Sequence, residues 1–410
     1  MSGEGLCTIL FRMTTNLTSY EFLAPAKIVF GWGRRRELGS LARALGRRAL
    51  IVWGSRTLRT GGIADDIAAS LRQAGVDAVE LATITHEPLV ADVDAATPTL
   101  RKLGLDGDSL VVAIGGGSAI DLAKAVAAMA TNHESDTVRD YLEGVGRGFK
   151  IAVAPLPVLA IPTTAGTGSE ATKNAVISSY DPLFKKSLRA DLMMPRQVLV
   201  DPELTVSCSR NTTAYSGMDA ITQCIESYVS RKAKPIASAL ALQGLQRAVP
   251  AIVEAVENGS SQPAREAMAH AALLSGMALA NSGLGMAHGV AAALGVHANV
   301  PHGLACAVML PVAVRANLPA VTDKFAELER MLSGRSDADP DEAAEAFAER
   351  IESLCVRVGI PRTLGELGVT QGMIPALVAG SRGNSMDGNP LVVAESEFDR
   401  HLAALLEKNL

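Results

Sequence analysis

The sequence predicts two domains in series, an α/β domain with a parallel sheet over residues 20–195 and an all-helical domain over residues 196–410. Three observations predict this. The chain has 410 residues, more than the roughly 250–300 that a single hydrophobic core usually serves. Its first half alternates short β-branched runs with amphipathic helical patterns, the mark of a parallel sheet with helices on both faces. Beyond about Thr212, alanine-rich segments at helical period dominate and no convincing strand remains.

The elements follow in order. Residues 48–53 (RALIVW) read as a strand, and 63–74 follow with apolar residues at helical spacing. Residues 77–81 form the next strand, and 93–103 a helix that contains Pro98, which costs it one helical hydrogen bond. A third, largely apolar strand covers 109–114, with a helix over 119–130. Residues 153–161 read as a further strand leading into a loop rich in Thr, Gly and Ser. In the second half, helices are expected over 214–231, 237–256, 264–282, 319–332 and 341–358, with 333–341 as a polar surface loop. The stretch 271–296 has no Lys, Arg, Asp or Glu, yet Ser275, Asn281, Ser282, His288 and several glycines interrupt it. It reads as a buried helical hairpin rather than a bilayer span.

Composition narrows the function classes. Hydrophobic residues make up 48% and charged residues 20%, an ordinary soluble balance. The net charge is −5 and no basic block appears, so no nucleic-acid partner is expected. Five cysteines are scattered without a CxxC pair, and the apolar run near the N-terminus is too short for a signal-peptide core. Reduced thiols and a cytoplasmic location are expected.

The apolar strand at 109–114 runs straight into Gly115-Gly116-Gly117-Ser118, and a helix begins at once. Glycines let the backbone approach a ligand closely, and the free amides of a helix N-terminus attract a pyrophosphate. The alternative is a tight turn that binds nothing. The loop is neither GxGxxG nor a Walker A loop. A second loop, PTTAGTGSE (162–170), carries hydroxyls suited to completing a cradle, with Ser169 as an expected helix N-cap.

The helical half offers a cation site. Asp219 and Gln223 lie four apart on one helix face within a mostly apolar segment, where an unpaired carboxylate is costly. His288 and His302 sit in nearly uncharged surroundings, and four of the seven histidines fall between 270 and 302. His270 and His297 read as satisfied core histidines. Asp219, His288 and His302 together point to a divalent metal, with ligands that suit Zn²⁺ or Fe²⁺.

As a set, GGGSAIDLAK (115–124), TTAGTGSEAT (163–172), DPELT (201–205), GMDAITQCIES (217–227) and GMAHGVAAALGVHANVPHGLA (285–305) resemble the iron-containing (group III) alcohol dehydrogenase family. The resemblance runs from PAKIVFG (25–31) to GNP (388–390). It implies the dehydroquinate synthase-like fold, with an N-terminal dinucleotide-binding domain for NAD(P) and a C-terminal domain that holds a metal. Carried over by motif, Gly115, Gly116, Gly117 and Ser118 hold the pyrophosphate, helped by Asp121. Thr163, Thr164 and Thr167 line the cofactor cleft, and Asn174 and Lys186 lie near the nicotinamide ribose. The metal falls to Asp219, Gln223, His288 and His302, with Asp219, His288 and His302 also serving catalysis. The resemblance suggests a homodimer as well.

Two departures stand out. The family's second metal ligand is normally His and is Gln223 here, which weakens the site for Fe²⁺ or Zn²⁺. The family's His four residues beyond the position of His288 is Ala292, which removes a proton relay. After the first strand the family often has an Asp for the adenosine ribose. Here Gly54, Ser55 and Arg56 follow Trp53, so NADP is expected to be tolerated. The expected chemistry is reversible hydride transfer between nicotinamide and a small primary alcohol or aldehyde, with the metal as Lewis acid. A dehydroquinate synthase-like cyclase and a metal-free reductase or degenerate cofactor-binding protein are the alternatives. The former calls for more basic residues than the apolar helical half supplies.

Overall fold

A computed structural model describes residues 19–54, 62–103, 107–392 and 394–410. Six strands form one parallel sheet: β1 (Lys27–Phe30), β2 (Arg48–Trp53), β3 (Asp77–Thr83), β4 (Ser109–Gly115), β5 (Val158–Pro162) and β8 (Gln197–Val200). Their order across the sheet is β1-β8-β5-β4-β2-β3. The remaining two, β6 (Asn174–Tyr180) and β7 (Leu183–Arg189), make an antiparallel hairpin beside it.

The central strands β4 and β5 are buried along their whole length, which is why they read as continuous apolar runs. Their alternation still sorts two layers. Leu110, Val112 and Ile114 pack with Leu41, Ile67 and Leu71 on one face. Val111 and Ala113 pack with Val93, Leu100 and Ile120 on the other. Helix Val90–Lys102 runs through Pro98, whose residue is exposed.

Two expectations need correction. The strand expected from residue 153 begins only at Val158, because Pro155 and Pro157 have no N–H to give a central ladder. The sheet also reaches past residue 195, since β8 lies between β1 and β5. Four residues behind Pro195 and Arg196 are too short to announce a strand by pattern.

The second half is helical throughout its described residues. Helix Arg210–Val229 packs against Pro235–Glu257, Gln262–Ala280 and His302–Asn317 in one core. The stretch expected as a hairpin is two helices that pack apart: Gln262–Ala280 lies against Arg210–Val229 and Pro235–Glu257, and Met286–His297 against His302–Asn317 and Ile374–Gly380. Pro235–Glu257 and His302–Ala320 are long and apolar enough to cross a membrane by length and composition. Both contribute side chains to the shared helical core, among them Leu245, Ile252, Val308 and Leu310.

Candidate active site

Helix Arg210–Val229 starts on Ser209, whose hydroxyl accepts the N–H of Thr212. Asp219, Gln223 and Glu226 follow at spacings of four and three, so one face presents all three. All are buried. His288 lies in the first turn of Met286–His297, and His302 opens the helix His302–Asn317, with Cys306 one turn later.

These helices bring Asp219, His288, His302 and Cys306 together, with one ligand atom from each lying within 4.8 Å of all the others. His288 Nε2 stands 3.3 Å from Asp219 Oδ1. Both atoms are buried, and neither finds a hydrogen-bond partner among the described residues. Leaving such groups unpaired costs about 1–3 kcal/mol each, so the pair fits a cation held between them. On its other side, His288 Nδ1 is 2.6 Å from Glu226 Oε2, while Glu226 Oε1 accepts the N–H of Ala287 at 2.7 Å. Glu226 therefore fixes both the ring and the start of its helix. A carboxylate behind a ligating imidazole is the usual support of a metal site.

The electrostatics agree with that reading. Burial opposes charge on His288, yet Cys306, Glu226 and Asp219 together hold its pKa well above the ordinary imidazole value. Burial also opposes ionisation of Asp219, but His288 and His302 keep it below the ordinary carboxylate value. His302 is pushed down, first by burial and then by the Lys185 ammonium. Burial pushes the Cys306 thiol up to about 12.

Gln223, one turn beyond Asp219, is hydrogen-bonded at both ends of its amide. Its amide donates to Thr167 O at 3.2 Å, and its oxygen accepts from Ser275 Oγ at 2.7 Å. A neutral amide both donates and accepts, so Gln223 bridges the second loop to helix Gln262–Ala280. Cys306, which the sequence reading passed over, joins the cluster.

A cleft of about 910 Å³ runs from the sheet to this cluster. Gly54, Gly116, Gly117, Ser118, Thr163 and Thr164 line one end, and His302 lies in the lining at the other. Helix Gly117–Thr131 has no side-chain cap, so its first amides are free for an anion. A Cβ on Gly117 would lie 2.7 Å from Thr167 Oγ1, and one on Gly116 3.2 Å from Thr164 Oγ1. The loop thus has no space for side chains, and these residues fit a pyrophosphate. Gly115 packs on Gly54 one step behind the lining.

Other expected cofactor residues lie outside the cleft lining. Asp121 is turned inward, accepting from Ser169 Oγ and from Val176 N at 2.9 Å. Lys124, fully buried, donates to Ser169 O and Oγ and to Thr172 Oγ1. Together they clamp the second loop to the helix, so Asp121 supports the cradle instead of touching the pyrophosphate. Ser169 is therefore no N-cap, a place taken by Gly168. Thr167 contributes its carbonyl to Gln223, and the Asn174 carbonyl accepts from Lys124.

Lys186 pairs with Ile177 in the β6–β7 hairpin. Its neighbour Lys185, on the opposite side of the pleat, lines the cleft and meets Glu87 at 2.7 Å. Ser55 and Arg56 lie outside the described residues. His270, expected in the core, is only partly buried, its ring tilted against Phe30 with centroids 5.1 Å apart.

Comparison with known proteins agrees with this geometry. The profile described as "Iron-containing alcohol dehydrogenase" matches residues 25–202, and that of the "Fe-containing alcohol dehydrogenase family, C-terminal" matches 213–404. A 1,3-propanediol dehydrogenase from Citrobacter freundii is 34% identical over 387 residues, covering 92% of this chain and 97% of that protein. An NAD-dependent methanol dehydrogenase from Bacillus methanolicus is 33% identical over 355 residues, covering 86% and 90%. The crystal structure of a 1,3-propanediol oxidoreductase superposes with a TM-score of 0.88 at 30% identity, covering 96% of this chain and all of that one. Two family models that together span nearly the whole chain, with relatives that match along most of their own length, show that the chain belongs to the iron-containing alcohol dehydrogenase family.

Proposed function

We propose that this protein is a metal-dependent, NAD(P)-linked alcohol dehydrogenase and aldehyde reductase, moving hydride directly between the nicotinamide and a small primary alcohol or aldehyde. One observation carries the reading: His302 belongs both to the cation cluster and to the lining of the cofactor cleft. Substrate bound between the two would meet both cofactors at once.

The residues divide the work. Gly116, Gly117 and Ser118 anchor the pyrophosphate through free amides, with Thr163 and Thr164 closing the cleft beside them. Asp219, His288 and His302 hold Fe²⁺ or Zn²⁺, which supplies Lewis acidity at the substrate oxygen when bound. Glu226 holds the His288 ring in place through Nδ1, leaving Nε2 turned to Asp219. Ala292 leaves no imidazole one turn beyond His288 to carry a proton. His86, Glu87 and Lys185 are titratable groups that line the cleft and take that task.

NADP is accepted alongside NAD in this reading, through Ser55 and Arg56 after β2. We further propose a cytoplasmic homodimer with no nucleic-acid or membrane partner. The test is NADH and NADPH oxidation against a panel of small aldehydes, with and without added Fe²⁺ or Zn²⁺. Metal-stimulated turnover supports the proposal. Turnover unaffected by exhaustive chelation sinks the metal-dependent part, and cofactor binding without any turnover sinks the whole.

A further inference from the structure

We propose that Cys306 is a metal ligand of this chain, completing a four-coordinate Asp219–His288–His302–Cys306 site that selects Zn²⁺ over Fe²⁺. The inference rests on the metal-dependent reading above and goes further, since it changes both the donor set and the preferred ion.

Three observations carry it. The first is connectivity. His302 and Cys306 are separated by four residues on helix His302–Asn317, so both project from one face toward the same point. The second is distance. Tetrahedral zinc with bonds of about 2.0–2.1 Å to N or O and 2.3 Å to S requires ligand separations of about 3.3 Å between N and O and about 3.6 Å between N and S. The structure holds His288 Nε2 3.3 Å from Asp219 Oδ1, and Cys306 Sγ 3.8 Å from His302 Nε2. All four ligand atoms lie within 4.8 Å of one another, and the longer separations would have to shorten as the ion binds.

The third observation is what surrounds these atoms. Asp219 and His288, 1% and 5% exposed, turn unpartnered Oδ1 and Nε2 atoms toward each other. Cys306 is fully buried against them. Gln223, at the position where a further imidazole is expected, is engaged at both ends by Thr167 and Ser275. It keeps a packing role while the thiol fills the coordination shell.

Coordination breaks the Sγ–H bond, forms an Sγ–metal bond and releases the proton to water. A carboxylate, two imidazoles and a thiolate make a borderline-soft set that suits Zn²⁺ and Co²⁺ better than Fe²⁺.

The test needs no turnover. The full-length protein is stripped of metal and titrated with Co²⁺, wild type beside Cys306→Ser. Wild type should develop a near-ultraviolet thiolate-to-cobalt charge-transfer band with the visible bands of tetrahedral Co²⁺. Cys306→Ser should still bind Co²⁺ but without the charge-transfer band. Its Zn²⁺ affinity should fall at least about tenfold, the least that losing even an outer support of a ligand costs. From an equimolar mixture, wild type should retain Zn²⁺ over Fe²⁺ more strongly than the variant does, since nitrogen and oxygen donors alone keep part of that order. Co²⁺ binding without the band, and equally in both proteins, overturns the assignment of Cys306 but leaves a metal site standing. No Co²⁺ binding to wild type overturns the assignment and the metal-dependent reading together.

Discussion

Glu226→Gln tests how the histidine is held. The carboxylate is 5% exposed on its side chain and uses both oxygens, one toward His288 Nδ1 at 2.6 Å and one on Ala287 N at 2.7 Å. Glutamine preserves the volume but has one acceptor and one donor end. If its oxygen stays on Ala287 N, its NH₂ faces His288 Nδ1 and makes that nitrogen the acceptor. The ring proton then sits on Nε2, the atom that must be bare to bind a cation. If the amide flips, its NH₂ confronts the Ala287 N–H. The first arrangement blocks the ligand atom, and the second leaves the buried Ala287 N–H unpaired, at about 1–3 kcal/mol. Loss of this kind of support weakens metal binding about 10–100-fold, which corresponds to about 1.4–2.8 kcal/mol. The assay is competition for Zn²⁺ against a chromophoric chelator, with thermal melts of the metal-free proteins alongside. Equal Zn²⁺ affinity in the two proteins refutes the role given to Glu226.

Three further outcomes are expected. Gly117→Ala puts a Cβ 2.7 Å from Thr167 Oγ1 and 2.8 Å from its Cγ2. Overpacking of about 1–3 kcal/mol should weaken NADH about ten- to hundredfold in a fluorescence titration, with part of the loss restored by Thr167→Ala. Unchanged affinity would remove the pyrophosphate from this loop. Glu170 is buried, and burial raises its carboxyl from 4.5 to about 7. Below pH 4.5 the folded and unfolded states both hold the proton. Between 4.5 and 7 only the folded state keeps it, so stability falls as pH rises. Above pH 7 the cost levels off at about 3 kcal/mol. Glu170→Gln should therefore raise the urea midpoint at pH 8 and leave it unaltered near pH 4, whereas parallel shifts at both would contradict the assignment. Finally, Ala292→His places an imidazole one turn from His288. It should raise kcat about tenfold or more and add a limb to the pH–rate profile near neutrality; a profile identical to wild type would show that position to be idle.

The parts legible in the sequence were those with a strong local pattern. The buried run at 109–114 and the glycines behind it announced β4 and the cofactor loop, and Asp219, His288 and His302 stood out as polar residues in apolar helices. Glu226 carried the same signal, seven residues beyond Asp219 on the same face, and passed as one more acidic residue at a helix end. Cys306 was invisible because a lone cysteine packs as a small hydrophobe. Only the fold sets its sulfur beside His302. The Glu87–Lys185 pair joins residues 98 positions apart, a contact that no local period encodes. The partners of Gln223 were illegible for a similar reason: Thr167 and Ser275 reach it from distant segments.

The position of β1 at the sheet edge has a consequence for biosynthesis. Its ladder partner is β8, with Lys27 opposite Gln197. A nascent chain that has just made β1 therefore has nothing to zip it to. At about 5–20 residues per second, translation leaves that strand exposed for on the order of ten to thirty seconds before its neighbour appears. The first of the described strands to be made is among the last to be secured, and a ribosome-bound chain of intermediate length is where aggregation or chaperone capture would concentrate.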